Sequence, residues 1–316
     1  MVNSSMPSNP LTQVTMSTIF SQNNVSSFID EVATRLEPEY GYREIAIQAA
    51  WSLLLNATGK TRAELLAYSE LLLSPPQGDQ ITEWIRAITE EHKPLQYVLG
   101  AVFFLDLKIT VRPPILIPRP ETEDWCDQLI QHLKKTYLKS TEHKPLAILD
   151  LCTGSGCIAL ALAHTFPESN VTAIDISKEA CALAKENAHL NKITNIKIIE
   201  SDLFTQIPTT QRFDLIVSNP PYIAPETFPT LDPSVREWED VRALVAEDKG
   251  LGCIKKIITE APAFLDMHSV IRELWIEISP EQEKTVIDNM QNVGFTDVTT
   301  HQDLTRQARA ISGRLK

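Results

Sequence analysis

No run of apolar residues in this 316-residue chain approaches the roughly 20 that a membrane helix needs, so nothing in it is expected to span a bilayer. Positive charge is also scarce. With 29 Lys and Arg against 41 Asp and Glu the formal charge is −12, and no strong basic cluster is present to follow a phosphate backbone. Stable nucleic-acid binding is therefore not expected. The five cysteines (Cys126, Cys152, Cys157, Cys181 and Cys253) are scattered, odd in number and without a CxxC pair. That argues against a disulfide framework or a zinc site and for a reduced intracellular compartment. The first 24 residues hold no acidic residue and no arginine and are rich in Ser, Asn and Thr, which predicts a disordered tail rather than an Arg-rich transit peptide. A cytoplasmic location is expected, or a mitochondrial one if the source is eukaryotic. No metal is expected, and there is no internal repeat.

What is present divides into three textures. From residue 25 to 93, "FIDEVATRL", "YREIAIQAAWSLLLNAT", "TRAELLAYSELLL" and "QITEWIRAITEEH" repeat apolar residues every three or four positions, the mark of a small helical domain. Thr61 with Glu64 reads as a capping box, and Ser74-Pro75-Pro76 interrupts the helical pattern. Residues 94–118, within "LQYVLGAVFFLDLKITVRPPILIPRP", read as two short strands and a proline-stiffened link, a β-hairpin joining two domains. A helix is expected from Pro120, with Glu121 and Glu123 at its positive end. From Ala147 onward, strand and helix alternate through "LAILDL", "CIALALAHTF", "VTAID", "KEACALAKENAHL", "IKIIE" and "FDLIVS". This α/β alternation predicts a mostly parallel sheet covered by helices on both faces over residues 119–316.

The chemistry concentrates at strand ends. "ILDLCTGSGCIALALA" is a buried strand that ends in a glycine turn and runs straight into a helix, where free backbone N–H groups can meet a ligand. Gly154 to Ala159 also satisfies GxGxxA, and Asp175 follows about 20 residues on, placed to accept from ribose hydroxyls. The turn alone leaves NAD and S-adenosylmethionine both open. Asp150, four residues before Gly154, and Asp202 after the next strand favour S-adenosylmethionine, because three acids then stand at three successive strand ends.

"FDLIVS" ends in Asn219-Pro220-Pro221-Tyr222. A carboxamide or an exocyclic base amine is a poor nucleophile that must be held and polarised before it can attack a sulfonium methyl. The Asn219 side-chain oxygen and the Pro220 carbonyl can accept its two hydrogens, the prolines offer no competing N–H, and Tyr222 offers a flat face. Positioning and hydrogen bonding then supply the rate.

Four segments, "PLQYVLG", "ILIPRPETE", "DLCTGSGCIALALA" and "FDLIVSNPPYI", resemble the HemK/PrmC family of protein-(glutamine-N5) methyltransferases in content, order and spacing. The resemblance implies a class I S-adenosylmethionine-dependent methyltransferase fold, Rossmann-like with a mostly parallel seven-stranded sheet, behind a helical-bundle domain that docks the substrate. It implies N5-methylation of the glutamine in the GGQ motif of class 1 peptide chain release factors. Asp150, Leu151, Cys152, Thr153, Gly154 and Gly156 would cradle the methionine part of the donor and Asp175 its ribose. Asp202 and Leu203 would border the adenine, and Asn219 to Tyr222 would hold the glutamine, with Asn219 also beside the donor. Arg119 and Glu121 are expected either to brace the pocket or to form a helix-start ion pair. Cys152 stands where the family more often has glycine, and "DLTRQARAISGRL" departs from the usual ending. The same NPPY turn also serves DNA adenine and RNA guanine amino-methyltransferases, GxGxxA alone would suit an NAD-dependent oxidoreductase, and a non-catalytic binding module could keep the fold. NPPY is unexplained in the oxidoreductase, and an intact Asn219 speaks against the binding module.

Overall fold

The computed structural model describes residues 24–67, 70–139 and 144–316, and of residues 137–139 the backbone only. All of the expected tail but Asn24 lies outside the described residues. The chain divides into two compact units, Met1–Val98 and Leu99–Lys316.

In the first unit, α1 (Val25–Tyr40), α2 (Arg43–Thr58) and α4 (Pro75–Glu91) pack on one another, with the short α3 (Arg62–Leu66) between them in sequence. Phe28, Leu36, Leu53, Leu54 and Ile81 are fully buried, which is what the three- and four-residue spacing required. The ends follow local chemistry. Asn24 caps α1, Gly41 and Gly59 close α1 and α2 in the left-handed region, and Thr61 with Glu64 forms the capping box of α3. The prolines after Ser74 do not merely interrupt: Ser74 N–H donates to Gln77, and Pro75 opens α4. Helix α5 (Leu95–Leu99) occupies a stretch expected to be extended, because Pro94 presents its carbonyl to the Val98 N–H and Tyr97 is buried.

The second unit opens with an antiparallel hairpin of β1 (Ala101–Phe104) and β2 (Leu107–Thr110), followed by α6 (Pro120–Lys139). The hairpin is held by Asn187, a fully buried side chain that exchanges two hydrogen bonds with the Thr110 backbone and donates to the Ser155 carbonyl in the glycine turn. The alternating region gives β3 (Ala147–Leu151), α7 (Cys157–Thr165), β4 (Asn170–Asp175), α8 (Lys178–Leu190), β5 (Ile196–Glu200) and β6 (Leu215–Ser218). Two short helices, α9 (Pro233–Arg236) and α10 (Val241–Leu244), shape the loop beyond β6. Then come α11 (Gly252–Glu260), β7 (Glu273–Glu277), α12 (Glu283–Asn292), β8 (Phe295–Gln302) and β9 (Ala308–Leu315).

The seven-stranded sheet runs β5-β4-β3-β6-β7-β9-β8, and β9 is antiparallel to both its neighbours while the other pairings are parallel. The chain leaves β3 toward β4 and β5, then returns to place β6 on the other side of β3. That reversal opens a crevice at the carboxyl ends of β3 and β6, where open α/β sheets bind their ligands.

Candidate functional site

A cavity of about 280 Å³ lies at this crevice. Of the residues singled out from sequence, Cys152, Gly154, Asp175, Asp202, Leu203, Asn219 and Pro221 stand on its wall, whereas Asp150, Leu151, Thr153, Gly156, Pro220 and Tyr222 do not.

The glycine turn is built from backbone bonds. Thr153 N–H donates to the Ile174 carbonyl and Gly156 N–H to that of Thr153, both at 2.8 Å. Gly156 sits at φ +86° against α8, where an added Cβ would come within 3.0 Å of the Ala184 Cβ, so only glycine fits comfortably. Cys152 also adopts the left-handed region, at φ 59°, a conformation that glycine takes at less cost. Asp175 receives the Gly154 N–H on one oxygen and the Ser177 N–H on the other, each at 2.8 Å, which orients it toward the cavity edge while burial pushes its carboxyl up. Each oxygen keeps acceptor capacity for a ligand hydroxyl.

Asp150 is fully buried. One oxygen accepts from Thr153 at 2.6 Å and the other has no partner in the protein. Burial pushes its pKa from 3.8 up to about 7, against the pull of the Thr153 hydroxyl. Because the folded value exceeds the unfolded one, this group favours folding in acid, and that contribution is lost as pH rises from about 4 to about 7. Asp150→Asn should remove that loss. Urea midpoints of the two proteins at pH 5 and pH 8 check it, and the wild type should lose more stability between them than the variant.

Two chain segments far apart in sequence close the cavity's other side. Ile115 and Leu116, from the proline-stiffened link, and Asp240, Arg242 and Ala243, from the loop after β6, all stand on the wall. Asp240 N–H donates to the Pro114 carbonyl at 2.8 Å, and Glu239 accepts the Ile117 N–H and, at 2.5 Å, the Arg119 guanidinium. Arg119 thus braces the pocket through Glu239, a partner 120 residues away, rather than pairing with Glu121 at the helix start. Arg242 is chelated by Asp240 and exerts a favourable field on Asp175.

The NPPY turn is anchored from below. Ser218 hydroxyl donates to the Leu151 carbonyl, binding the end of β6 to that of β3. The Asn219 amide donates to the Thr122 hydroxyl at 3.2 Å. Thr122 Oγ1 and Trp125 Nε1 each donate to Glu277 Oε2 at 2.7 Å, and the Tyr222 hydroxyl donates to Oε1 at 3.2 Å. Glu277 is buried, which pushes its carboxyl up, while these three donors hold it down. The Tyr222 hydroxyl is therefore committed to the protein interior, and burial next to this carboxylate raises its own pKa. Its ring packs against the core and is not on the cavity wall.

Gln282 donates to the Tyr222 carbonyl at 2.9 Å, and Gly250 passes so close that an added Cβ would overlap that carbonyl. Gly250 is also at φ +83°. Gly250→Ala should cost about 1–3 kcal/mol, from backbone strain and a forced shift of the turn. Thermal unfolding checks it, and an unchanged midpoint would refute the close approach.

Glu239, Glu277, Thr122, Asn187 and Gln282 were not singled out from sequence. Single acidic, amide or hydroxyl residues such as these carry no local pattern to distinguish them from surface groups, because their partners lie far away in sequence.

Comparison with known proteins places the chain. Residues 29–100 match the family model described as PrmC N-terminal domain, and residues 124–230 that of the Methyltransferase small domain. The release factor glutamine methyltransferase of Lactococcus lactis subsp. lactis is 41% identical over 224 residues, covering 70% of this chain and 77% of the relative. That of Vibrio cholerae is 35% identical over 288 residues, covering 90% and 95%. Among solved structures, the hMettl16 catalytic domain in complex with MAT2A 3'UTR hairpin 6 has a TM-score of 0.53 at 17% identity, covering 78% of this chain and 84% of that one, a likeness of fold alone. Among the described residues no helix is long and apolar enough to cross a membrane, and no group of His, Cys, Asp and Glu could hold a metal ion. With a methyltransferase sheet, a cavity at its switch point and relatives matched over most of their length, the chain belongs to the release factor glutamine methyltransferase family.

Proposed function

We propose that this enzyme transfers a methyl group from S-adenosylmethionine to N5 of the glutamine in the GGQ motif of class 1 peptide chain release factors, and so modulates translation termination. The observation that carries the reading is Asn219. It stands on the cavity wall, its amide nitrogen is occupied by Thr122, and its Oδ1 accepts no hydrogen bond among the described residues. A free acceptor at that point suits a primary amide, whose N–H it can take.

The residues present suit the donor. The crevice offers Asp175 for ribose hydroxyls and Asp202 with the apolar Leu203 for an adenine, and Asp150 lies buried beneath the glycine turn, off the cavity wall. When bound, the donor supplies an electrophilic methyl on sulfur. The protein's own part is to hold the amide and align its nitrogen with that methyl, using Asn219 Oδ1 and the Pro220 carbonyl, with Pro221 shaping the wall. Leu151, Cys152, Thr153, Gly154 and Gly156 form the backbone under the donor. The helices of residues 25–93 are assigned to docking the release factor.

Mass spectrometry of the GGQ peptide of a release factor, after incubation with the protein and donor, should show one added methyl on the glutamine. Transfer of labelled methyl to duplex DNA or RNA, with none to the release factor, would overturn the reading in favour of a nucleic-acid amino-methyltransferase, the other chemistry an NPPY turn serves.

A further inference from the structure

We propose that Glu277 and Thr122 are positioning residues that set which way the Asn219 carboxamide faces. β6 and β7 are parallel neighbours in which Ser218 pairs with Ile276, so Asn219 and Glu277 are each the next residue along, at the same end of the sheet. Thr122 lies in the first turn of α6 and bridges them.

The direction of each bond follows from what each group can donate. Trp125 Nε1 has a proton and no lone pair to offer, so Glu277 Oε2 accepts from it at 2.7 Å. Thr122 has a single hydroxyl proton, and it goes to the same oxygen at 2.7 Å. With that proton committed, Thr122 Oγ1 can only accept, and what it accepts at 3.2 Å is an Asn219 N–H. The carboxamide is thereby fixed with its nitrogen toward the protein and Oδ1 left for the substrate. A glutamine at position 277 would still turn its oxygen to Trp125 Nε1 and Thr122 and its NH2 to the Tyr222 hydroxyl, whereas leucine there would remove the acceptor, let Thr122 donate to Asn219 instead, and allow the amide to turn over, presenting a donor where an acceptor is needed. An acceptor oxygen held opposite the Trp125 N–H is therefore what makes the chain of bonds run one way.

The inference rests on the amide-transfer reading above, and its test separates the two. In the full-length protein, Glu277→Leu and Thr122→Val should each lower kcat about tenfold or more, with KM for the release factor and affinity for S-adenosylhomocysteine changed by less than about threefold. Thr122→Ser, which keeps the hydroxyl, should recover most of the turnover lost in Thr122→Val. Thr122→Val covers the case in which Glu277→Leu fails to fold. Independently of turnover, the Asn219 side-chain NH2, followed by nitrogen-15 NMR, should exchange with solvent several-fold faster in Thr122→Val than in wild type. Wild-type kcat in Thr122→Val, or an unchanged exchange rate, would overturn the positioning role. Failure of the wild-type protein to methylate any release factor would instead sink the proposed function, and the NMR comparison would still report on the orientation.

Discussion

Replacing Asn219 by alanine is expected to lower turnover on a release factor by about two to three orders of magnitude, the usual cost of removing one preorganised hydrogen-bonding group from a reacting centre. The loss should fall on kcat, because the role proposed for Asn219 is to hold the amide in line rather than to supply the bulk of donor binding. Donor affinity should stay largely intact, since Asp175, Asp202, Leu203 and the glycine turn remain. Steady-state kinetics with calorimetry on S-adenosylhomocysteine separates the two effects. Turnover unchanged would remove Asn219 from the reaction, and a donor affinity that collapsed with it would make Asn219 a donor-binding residue first.

Arg119→Ala carries the second large effect. The Glu239 side chain is fully enclosed, whereas Arg119 is 30% exposed, so deletion of the arginine leaves a buried carboxylate facing only the Ile117 N–H. Stranding a buried charge costs about 3–5 kcal/mol, and the partial exposure of the arginine brings the expectation to about 2–4 kcal/mol. The sign with pH is defined. Burial already pushes Glu239 up and Arg119 opposes it, so without Arg119 the folded pKa rises further, and the damage should grow as pH increases through that value. Denaturation of Arg119→Ala at pH 5 and pH 8 should show the larger deficit at pH 8. The double variant Arg119→Ala, Glu239→Gln should recover part of it, because a neutral amide tolerates the enclosure. The same brace holds the proline link to the loop after β6, so the single variant should also weaken binding in the cavity those segments line.

These two residues differ in how far they could be read from sequence. Asn219 was legible with its neighbours, because a strand end, a turn of fixed spacing and the acceptor chemistry of the turn are local properties. The same holds for Gly154, Gly156 and Asp175, which sit at successive strand ends, and for the helical unit, whose period of three and four residues reports a buried face. Arg119 was noticed, but its partner was not. Glu239 lies 120 residues away, in a loop whose short helices α9 and α10 arise from aspartate caps and contacts rather than from any extended apolar period. Likewise Tyr222 was legible as an aromatic face, but the partner of its hydroxyl, Glu277 55 residues away, was not.

By itself, then, the sequence determined the alternation of strand and helix, the glycine turn, the acids at strand ends and the acceptor-rich NPPY turn, since each depends on residues within a few positions of one another. Only the tertiary structure decided what stands next to them. The order β5-β4-β3-β6-β7-β9-β8 makes β6 and β7 neighbours and brings Glu277 beside Asn219, while the loop after β6 folds back to give Arg119 its partner. The physical reason is that a buried carboxylate is tolerated only where donors from several elements converge on it, and that convergence is a property of packing across the whole sheet, not of spacing along the chain.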